Sequence, residues 1–214
     1  MLLTANPESR FYSAGNDLSN FQPTDTLDNA GDMAAMSAVF CQDFVQSFID
    51  CDKPIVAAVT GPAMGIAVTT LALCDFIVAT EDATFTTNFM QLAQGPEGAA
   101  SYLFPKFLGK AISTDMLLLG KTVSAGEMKS AGFLNAVYKT KEEVSTAARE
   151  IANKLAKYDP GSLLACKRLM RSDRLAATQA NQRECANLAI RWKSEACRDA
   201  IIAFMSKRQK KPKL

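Results

Sequence analysis

Residues 53–66 read KPIVAAVTGPAMGI, and this stretch decides the fold. The continuous apolar run Ile55–Val59 lies between a Lys-Pro and a Gly-Pro pair, which indicates a strand buried on both faces. The turn that follows leads into a helix of small residues, Ile66–Leu73, and Asp75–Ala79 has the pattern of the next strand. Because a strand–turn–helix–strand unit builds a parallel layer, the stretch predicts an α/β fold.

The segments on either side extend this layer and end in helices. Apolar residues recur at three- and four-residue steps from Leu27 to Ile49, which predicts an amphipathic helix. A capping box at Ser124 to Glu127 predicts a helix that begins at Ser124 and ends near Gly132. The other predicted elements are strands at Met1–Thr4, Phe11–Tyr12 and Leu134–Tyr138, a loop at Thr86–Gly98, a helix at Lys110–Leu119, and helices from Glu142 to about Met205 with a break at Asp159–Gly161. We expect an α/β core over residues 1–140, a helical region over 141–206 and a basic tail over 207–214.

The composition is that of a soluble globular protein. The 214 residues are 48% hydrophobic and 21% charged, which is too apolar for disorder. No apolar run approaches the roughly 18 residues that a membrane-spanning helix needs, and the first residues lack the pattern of a signal peptide. We therefore expect no membrane partner.

The sequence contains no histidine. This excludes Ser-His-Asp and Cys-His hydrolysis as well as metal sites built on imidazole, so acid–base chemistry must fall to a carboxylate, Lys, Tyr or Cys. The six cysteines form no CxxC pair, and we expect them to be reduced and mostly buried; they are Cys41, Cys51, Cys74, Cys166, Cys185 and Cys197.

The net charge of +2 comes from the tail, because the last nine residues hold five basic groups. The rest of the chain carries 19 basic against 22 acidic groups. A nucleic-acid-binding protein would spread its positive charge over a folded face, so we expect no nucleic-acid partner.

Three glycine-containing segments could hold a reaction site. Residues 13–17, SAGND, end a predicted strand, and N–H groups beyond Gly15 could donate to an oxyanion; an ordinary turn is the alternative.

Residues 61–66, GPAMGI, begin a helix directly after a buried strand, so unpaired N–H groups could polarise a carbonyl; a tight packing turn is the alternative. Glu97 lies between Pro96 and Gly98 among apolar residues, where burial would make it a general base; a solvated turn carboxylate is the alternative.

In order and spacing, these segments resemble the crotonase (enoyl-CoA hydratase/isomerase) superfamily over nearly the whole chain. Residues 10–18 (RFYSAGNDL) are similar to the first oxyanion-hole segment of that family, and residues 53–65 to its central strand and second oxyanion-hole turn. Residues 73–79 (LCDFIVA) and 120–127 (GKTVSAGE) continue the match. The resemblance implies a ClpP-like spiral of ββα units with a C-terminal helical trimerisation region. It also implies an acyl-CoA substrate, assembly as a homotrimer or hexamer, no metal, and no cofactor, since coenzyme A is part of the substrate.

The family pattern assigns roles by position. Its two backbone N–H donors fall on Asn16 and Ile66, and the two catalytic glutamates of the hydratases fall on Thr69 and Phe89, so hydration is not expected. Glu97 in its Pro-Glu-Gly setting resembles the single base of peroxisomal Δ3,Δ2-enoyl-CoA isomerases. The substrate-binding residues that the resemblance implies are Ser13, Ala14, Gly15, Asp17, Leu18, Gly65, Phe89 and Lys207.

We therefore expect isomerisation of 3-enoyl-CoA to 2-trans-enoyl-CoA in the β-oxidation of unsaturated fatty acids. The alternatives are a non-catalytic crotonase-fold module that binds acyl-CoA or a protein, and a different acyl-CoA reaction at the same oxyanion hole. Family members begin with a further strand pair and helix before the segment that matches Leu2–Thr4, so we expect these N-terminal strands to be missing and a sheet edge to be exposed.

The last three residues suggest a location. Pro212-Lys213-Leu214 resembles the Ser-Lys-Leu import signal and follows basic residues, which predicts a peroxisomal protein that binds the import receptor. A solvated basic tail, on a mitochondrial or cytosolic protein, is the alternative.

Overall fold

A parallel sheet lies at the centre of the chain. The computed structural model describes residues 1–18 and 27–209, with side chains at 1–18 and 33–206. The strands are β1 (Leu2–Thr4), β2 (Val56–Val59), β3 (Ala63–Met64), β4 (Phe76–Thr80), β5 (Thr84–Thr86), β6 (Val123–Ser124) and β7 (Ala136–Tyr138). The helices are α1 (Leu27–Asp50), α2 (Ile66–Thr69), α3 (Ala100–Leu119), α4 (Ala125–Ser130), α5 (Lys141–Leu155), α6 (Pro160–Met170), α7 (Arg174–Arg191) and α8 (Glu195–Gln209).

The main sheet has the strand order β1-β2-β4-β7, and all of its pairs are parallel. Ala57 of β2 is in register with Leu3 of β1 and with Ile77 of β4. Within the described residues, β1 forms one edge of this sheet. The α/β fold predicted from residues 53–66 is confirmed.

Strand β2 is buried on both faces, as its sequence predicts. Ala57 and Val59 belong to the larger hydrophobic core. Val56 and Ala58 point to the other face, where they pack with Val144 of α5 in a second core. An apolar residue at every position is what a strand covered on both sides requires.

A second, small sheet of β3, β5 and β6 lies beyond the main one. Ala63 pairs with Phe85 in parallel, and Phe85 pairs with Val123 antiparallel. The sequence did not predict β3, β5 or β6 as strands, because each is only two or three residues long and shows no clear alternation of apolar and polar residues. This sheet ties residues 63–64 and 84–86 together at the start of α2, where the candidate site forms.

Most predicted helices are confirmed, with shifts at their ends. The Ser124 capping box exists, since the Glu127 N–H donates to Ser124 Oγ at 3.2 Å. The predicted helix from Ile66 is an α-helical turn followed by a 3-10 turn at Thr70–Leu73. The predicted helix Lys110–Leu119 is confirmed as the second part of α3, which begins after a kink at Gly109 (φ +72°); the first part, from Ala100, was not predicted.

The C-terminal region is helical, and the predicted break before α6 is confirmed. Asp159 caps α6, accepting a hydrogen bond from the Ser162 N–H at 2.7 Å, and Pro160 occupies the first turn. Two further breaks, at residues 171–173 and 192–194, were not predicted.

All six cysteines are free thiols, but fewer are buried than predicted. Cys41, Cys185 and Cys197 are buried, Cys51 and Cys74 are half-buried, and Cys166 is exposed. Among the described residues, no helix combines the length and apolar character needed to cross a bilayer.

Candidate active site

The two turns predicted to carry oxyanion donors are in direct contact. Ser13 bridges to Ala63, and the Met64 N–H donates to the Ser13 carbonyl at 3.0 Å. Gly15 adopts a φ of +82°, and a Cβ at this position would lie 2.8 Å from the Met64 carbonyl oxygen. Only glycine permits this approach, so residues 13–16 and 64–66 meet at the start of α2.

The contact leaves the N–H groups of Asn16 and Ile66 available. The neighbouring Gly65 N–H donates to the Thr86 carbonyl at 2.9 Å, which fixes the second turn. Across residues 1–18 and 27–209, no acceptor takes a hydrogen bond from the Asn16 or Ile66 N–H. Both residues line a cavity that can receive an acceptor from outside the chain.

The cavity has a volume of about 450 Å³ and a predominantly apolar lining. It brings together parts of the chain from the first strand region to the last helix. The lining residues are Phe11, Ala14, Gly15, Asn16, Leu18, Met64, Gly65, Ile66, Asn88, Phe89, Leu92, Gln94, Glu97, Trp192 and Phe204. Its size falls within the range of small-molecule sites.

Glu97 is the carboxylate of this cavity, and it is almost completely buried. Its side chain is 3% exposed, and the Thr69 hydroxyl lies 3.2 Å from both carboxylate oxygens. Burial raises the pKa of Glu97 well above its ordinary value, the negative charge of Glu184 raises it further, and the Thr69 hydrogen bond lowers it. A carboxyl group with a raised pKa and access to a cavity is suited to proton transfer near neutral pH.

The backbone around Glu97 turns sharply into α3. Gly98 and Ala99 follow with φ values of +76° and +57°. A Cβ on Gly98 would lie 2.3 Å from the Thr69 Oγ1 atom and 2.5 Å from its Cβ. The glycine therefore allows the Glu97 segment to pack directly on α2, which brings the carboxylate beside the two turns.

The structure brings most of the predicted site residues together. Those that line the cavity are Ala14, Gly15, Asn16, Leu18, Gly65, Ile66, Phe89 and Glu97. Ser13 and Asp17 are outside the lining; the Ser13 hydroxyl instead accepts a hydrogen bond from the Gly15 N–H at 3.3 Å. Lys207 lies in α8, but its side chain and all of residues 210–214, including the predicted import signal, are outside the described residues.

Sequence reasoning missed the residues that come from distant segments. Trp192 and Phe204 line the cavity from the C-terminal region, and Glu184 of α7 lies close enough to affect Glu97. None of these three residues belongs to a recognisable local sequence motif. The one readable signal was the placement of Thr69, where the hydratase pattern has a glutamate and where the structure puts a hydroxyl on Glu97.

A buried carboxylate and two turns with available N–H groups share one cavity, and comparison with known proteins shows the family to which the chain belongs. The sequence profile described as enoyl-CoA hydratase/isomerase matches residues 1–213, and the chain belongs to this family. A crystal structure of an enoyl-CoA hydratase/isomerase from Pseudoalteromonas atlantica T6c superposes with a TM-score of 0.82 at 30% identity, covering 96% of this chain and 78% of the other. The crotonase-type fold is therefore confirmed.

Particular relatives are isomerases. The chain is 41% identical over 208 residues to enoyl-CoA delta isomerase 2 of Rattus norvegicus, covering 95% of this chain and 51% of the relative. It is 37% identical over 207 residues to the peroxisomal enoyl-CoA delta isomerase 3 of Mus musculus, covering 94% of this chain and 62% of the relative. The chain thus spans about half to three fifths of the length of these curated relatives.

Proposed function

We propose that the chain isomerises 3-enoyl-CoA to 2-trans-enoyl-CoA, with Glu97 as the only acid–base group. The observation that carries this proposal is the buried Glu97 carboxylate in the same cavity as the Asn16 and Ile66 N–H groups. The relatives named enoyl-CoA delta isomerase support it.

In the first step, the Glu97 carboxylate removes a proton from C2 of the 3-enoyl thioester. The electron pair of the broken C–H bond moves toward the carbonyl, and a dienolate with negative charge on the thioester oxygen results. The N–H groups of Asn16 and Ile66 donate to this oxygen. In a cavity with an apolar lining, such donors typically stabilise the developing charge by several kcal/mol.

In the second step, the neutral Glu97 carboxyl returns the same proton to C4. The double bond then lies between C2 and C3, conjugated with the thioester, and the carboxylate is regenerated. One group serves both steps because C2 and C4 are reached from one face. Hydration is not expected, since it needs a second acid–base group and both hydratase positions hold other residues, Thr69 and Phe89.

The raised pKa of Glu97 suits this role. Its burial makes the proton-bearing form stable enough to persist between the steps. The Thr69 hydroxyl contacts both carboxylate oxygens and holds the side chain in one orientation. Holding the Glu97 carboxylate in one orientation accelerates proton transfer without a further catalytic group.

The test is turnover of a 3-enoyl-CoA, followed by the ultraviolet absorbance of the conjugated thioester. The wild-type chain should generate the signal, and Glu97→Gln should bind substrate but lose about 10²- to 10⁴-fold in kcat. Glu150→Gln is the matched control, because Glu150 is an exposed carboxylate on α5 and its loss should leave turnover unchanged. Normal turnover by Glu97→Gln would refute the assignment, and rapid hydration of crotonyl-CoA would refute the single-base mechanism.

We propose β-oxidation of unsaturated fatty acids as the pathway and the peroxisome as the location. One relative is named peroxisomal, and the C-terminal Pro212-Lys213-Leu214 fits an import signal. A fluorescent protein fused ahead of the chain should enter peroxisomes and remain cytosolic when residues 212–214 are removed. Entry without these residues would contradict the assignment to the tail.

We also propose assembly as a homotrimer or hexamer through the C-terminal helices. Large apolar side chains are exposed there, with Leu169 at 81% and Met170 at 77% on α6 and Leu175 at 69% on α7. Exposed apolar clusters of this kind mark association surfaces. Light scattering should give three or six times the chain mass, and a monomer at micromolar concentration would refute this assembly.

A further inference from the structure

Glu184 is a second buried carboxylate near the site, on helix α7. Its side chain is 5% exposed, and it does not line the cavity. The Ser101 N–H donates to Glu184 Oε1 at 2.7 Å, whereas the buried Oε2 has no hydrogen-bond partner among the described residues. A buried carboxylate that the proposed proton transfer does not use requires another explanation.

Glu184 is bound to the part of the chain that carries Glu97. Ser101 belongs to the first turn of α3, and the Ala100 N–H of the same turn donates to the Glu97 carbonyl at 3.3 Å. The contact of Glu184 with Ser101 therefore fixes the first turn of α3, which in turn holds the backbone carbonyl of Glu97. The two carboxyl groups also interact through space, because the charge of Glu184 raises the pKa of Glu97.

The hydrogen bonds decide which carboxyl keeps the negative charge. Two adjacent buried carboxylates cannot both ionise freely, since each charge opposes the other. Burial raises the pKa of Glu184 as well, but the 2.7 Å hydrogen bond from the Ser101 N–H, in the first turn of α3, opposes this and favours the anion. Glu97 has only the Thr69 hydroxyl, at 3.2 Å. When the pair holds a single proton, the arrangement therefore places the charge on Glu184 and the proton on Glu97, and Glu97 acts as the base once that proton has left.

We propose that Glu184 is a positioning residue for Glu97: it anchors the first turn of α3 and holds a fixed negative charge behind the base, so that Glu97 binds its transferred proton more tightly. This inference rests on the proposed isomerisation. Helix α7 therefore helps to set the proton affinity of Glu97.

The other titratable groups around the pair do not supply this charge. Cys41 on α1 is buried, and its pKa is raised, first by a hydrogen bond with Cys185 and then by burial, so it stays neutral. Cys185 on α7 is likewise a buried thiol. Arg183, next to Glu184 in sequence, has an exposed side chain, and its positive charge lowers the pKa of Glu184, which favours the ionised form of that carboxyl group.

The test compares wild type with Glu184→Gln, which keeps the volume and the acceptor for the Ser101 N–H but removes the charge. Protein labelled with ¹³C at the glutamate carboxyl is titrated by NMR, and Glu97→Gln identifies the Glu97 signal. In Glu184→Gln, the Glu97 titration and the acidic limb of the kcat–pH profile should both move to lower pH. The plateau kcat should fall about tenfold, as a weaker base transfers protons more slowly. Glu150→Gln should change neither readout.

The outcomes separate this inference from the proposed function. A Glu97 titration that stays unchanged in folded Glu184→Gln overturns the inference. A shifted titration in a protein that does not isomerise 3-enoyl-CoA supports the carboxylate pair and refutes the proposed function. The wild-type titration is a second measurement that needs no folded Glu184→Gln, with Glu184→Asp identifying the second signal. If Glu184 takes up its proton at a higher pH than Glu97, the inference is wrong.

Discussion

Replacing Gly98 by alanine tests whether the base depends on the close packing of its segment on α2. The new Cβ would lie 2.3 Å from the Thr69 Oγ1 atom and 2.5 Å from the Thr69 Cβ. Either the Thr69 side chain or the Glu97 segment must move. Gly132→Ala is the matched control, because Gly132 has a φ of +81° and no atom lies within 4 Å of its added Cβ.

Both variants place an alanine in the left-handed region of backbone conformation, but only Gly98→Ala also overpacks its neighbours. Alanine in the left-handed region costs about 1 kcal/mol at either position. Overpacking at Gly98 adds about 2 kcal/mol, since the neighbouring atoms include a Cβ that cannot rotate away. For a chain of this size, these values correspond to a fall in Tm of about 3 °C for Gly132→Ala and about 9 °C for Gly98→Ala. Displacement of Glu97 by an ångström lowers kcat about 100-fold in Gly98→Ala alone.

Thermal unfolding followed by circular dichroism measures the stability, and the absorbance of the conjugated thioester measures kcat. Full activity of Gly132→Ala would establish that an alanine at a positive φ does not by itself affect the site. Equal Tm values for the two variants, together with normal turnover by Gly98→Ala, would refute the reasoning.

Three further changes test other contacts. Thr69→Val removes the hydrogen bond that lowers the pKa of Glu97, so the acidic limb of the kcat–pH profile should move to higher pH; an unchanged profile would contradict the contact. Glu97→Gln should raise Tm by a few degrees at pH 8. The folded state raises the pKa of Glu97, so ionisation of this carboxyl group above its unfolded pKa of about 4.3 destabilises the folded state. The increase in Tm should vanish below pH 4, where the carboxyl group is protonated in both states. Lys167→Met should cost about 3 kcal/mol in urea unfolding by breaking its 2.7 Å buried pair with Asp75, whereas Arg168→Met, at an exposed pair, should leave the urea midpoint nearly unchanged.

Local patterns in the sequence were sufficient for the elements that depend on local physics. The apolar run at Ile55–Val59 predicted a strand buried on both faces, and β2 differs from it by one residue at the start. The capping box at Ser124 predicted α4, since both of its hydrogen bonds are made within four residues. Most of the cavity residues could also be predicted, because the two turns and the Glu97 segment each carry a local glycine signature.

The elements that depend on distant contacts could not be predicted. Helix α3 consists of two parts that meet at a non-helical kink at Gly109 (φ +72°), and the sequence predicted only the second part, Lys110–Leu119. The first part starts at Ala100, where the Ser101 N–H donates to Glu184, a residue 83 positions away. Glu184 could not be predicted as part of the site because it is so far from Glu97 in the sequence. Phe204 reaches the cavity because α8 packs against the turn at residues 90–92.

The contact between Gly98 and Thr69 also constrains how this chain can diverge. The space opposite Gly98 admits a threonine side chain with no room for an added methyl group. A glutamate at position 69, which the resemblance assigns to hydratases, would have to displace the Glu97 loop or add a third carboxyl group beside Glu97 and Glu184 in the buried interior. Ancestors or descendants that use two acids must therefore differ on both sides of this contact, and a single substitution offers no evolutionary route between the two chemistries.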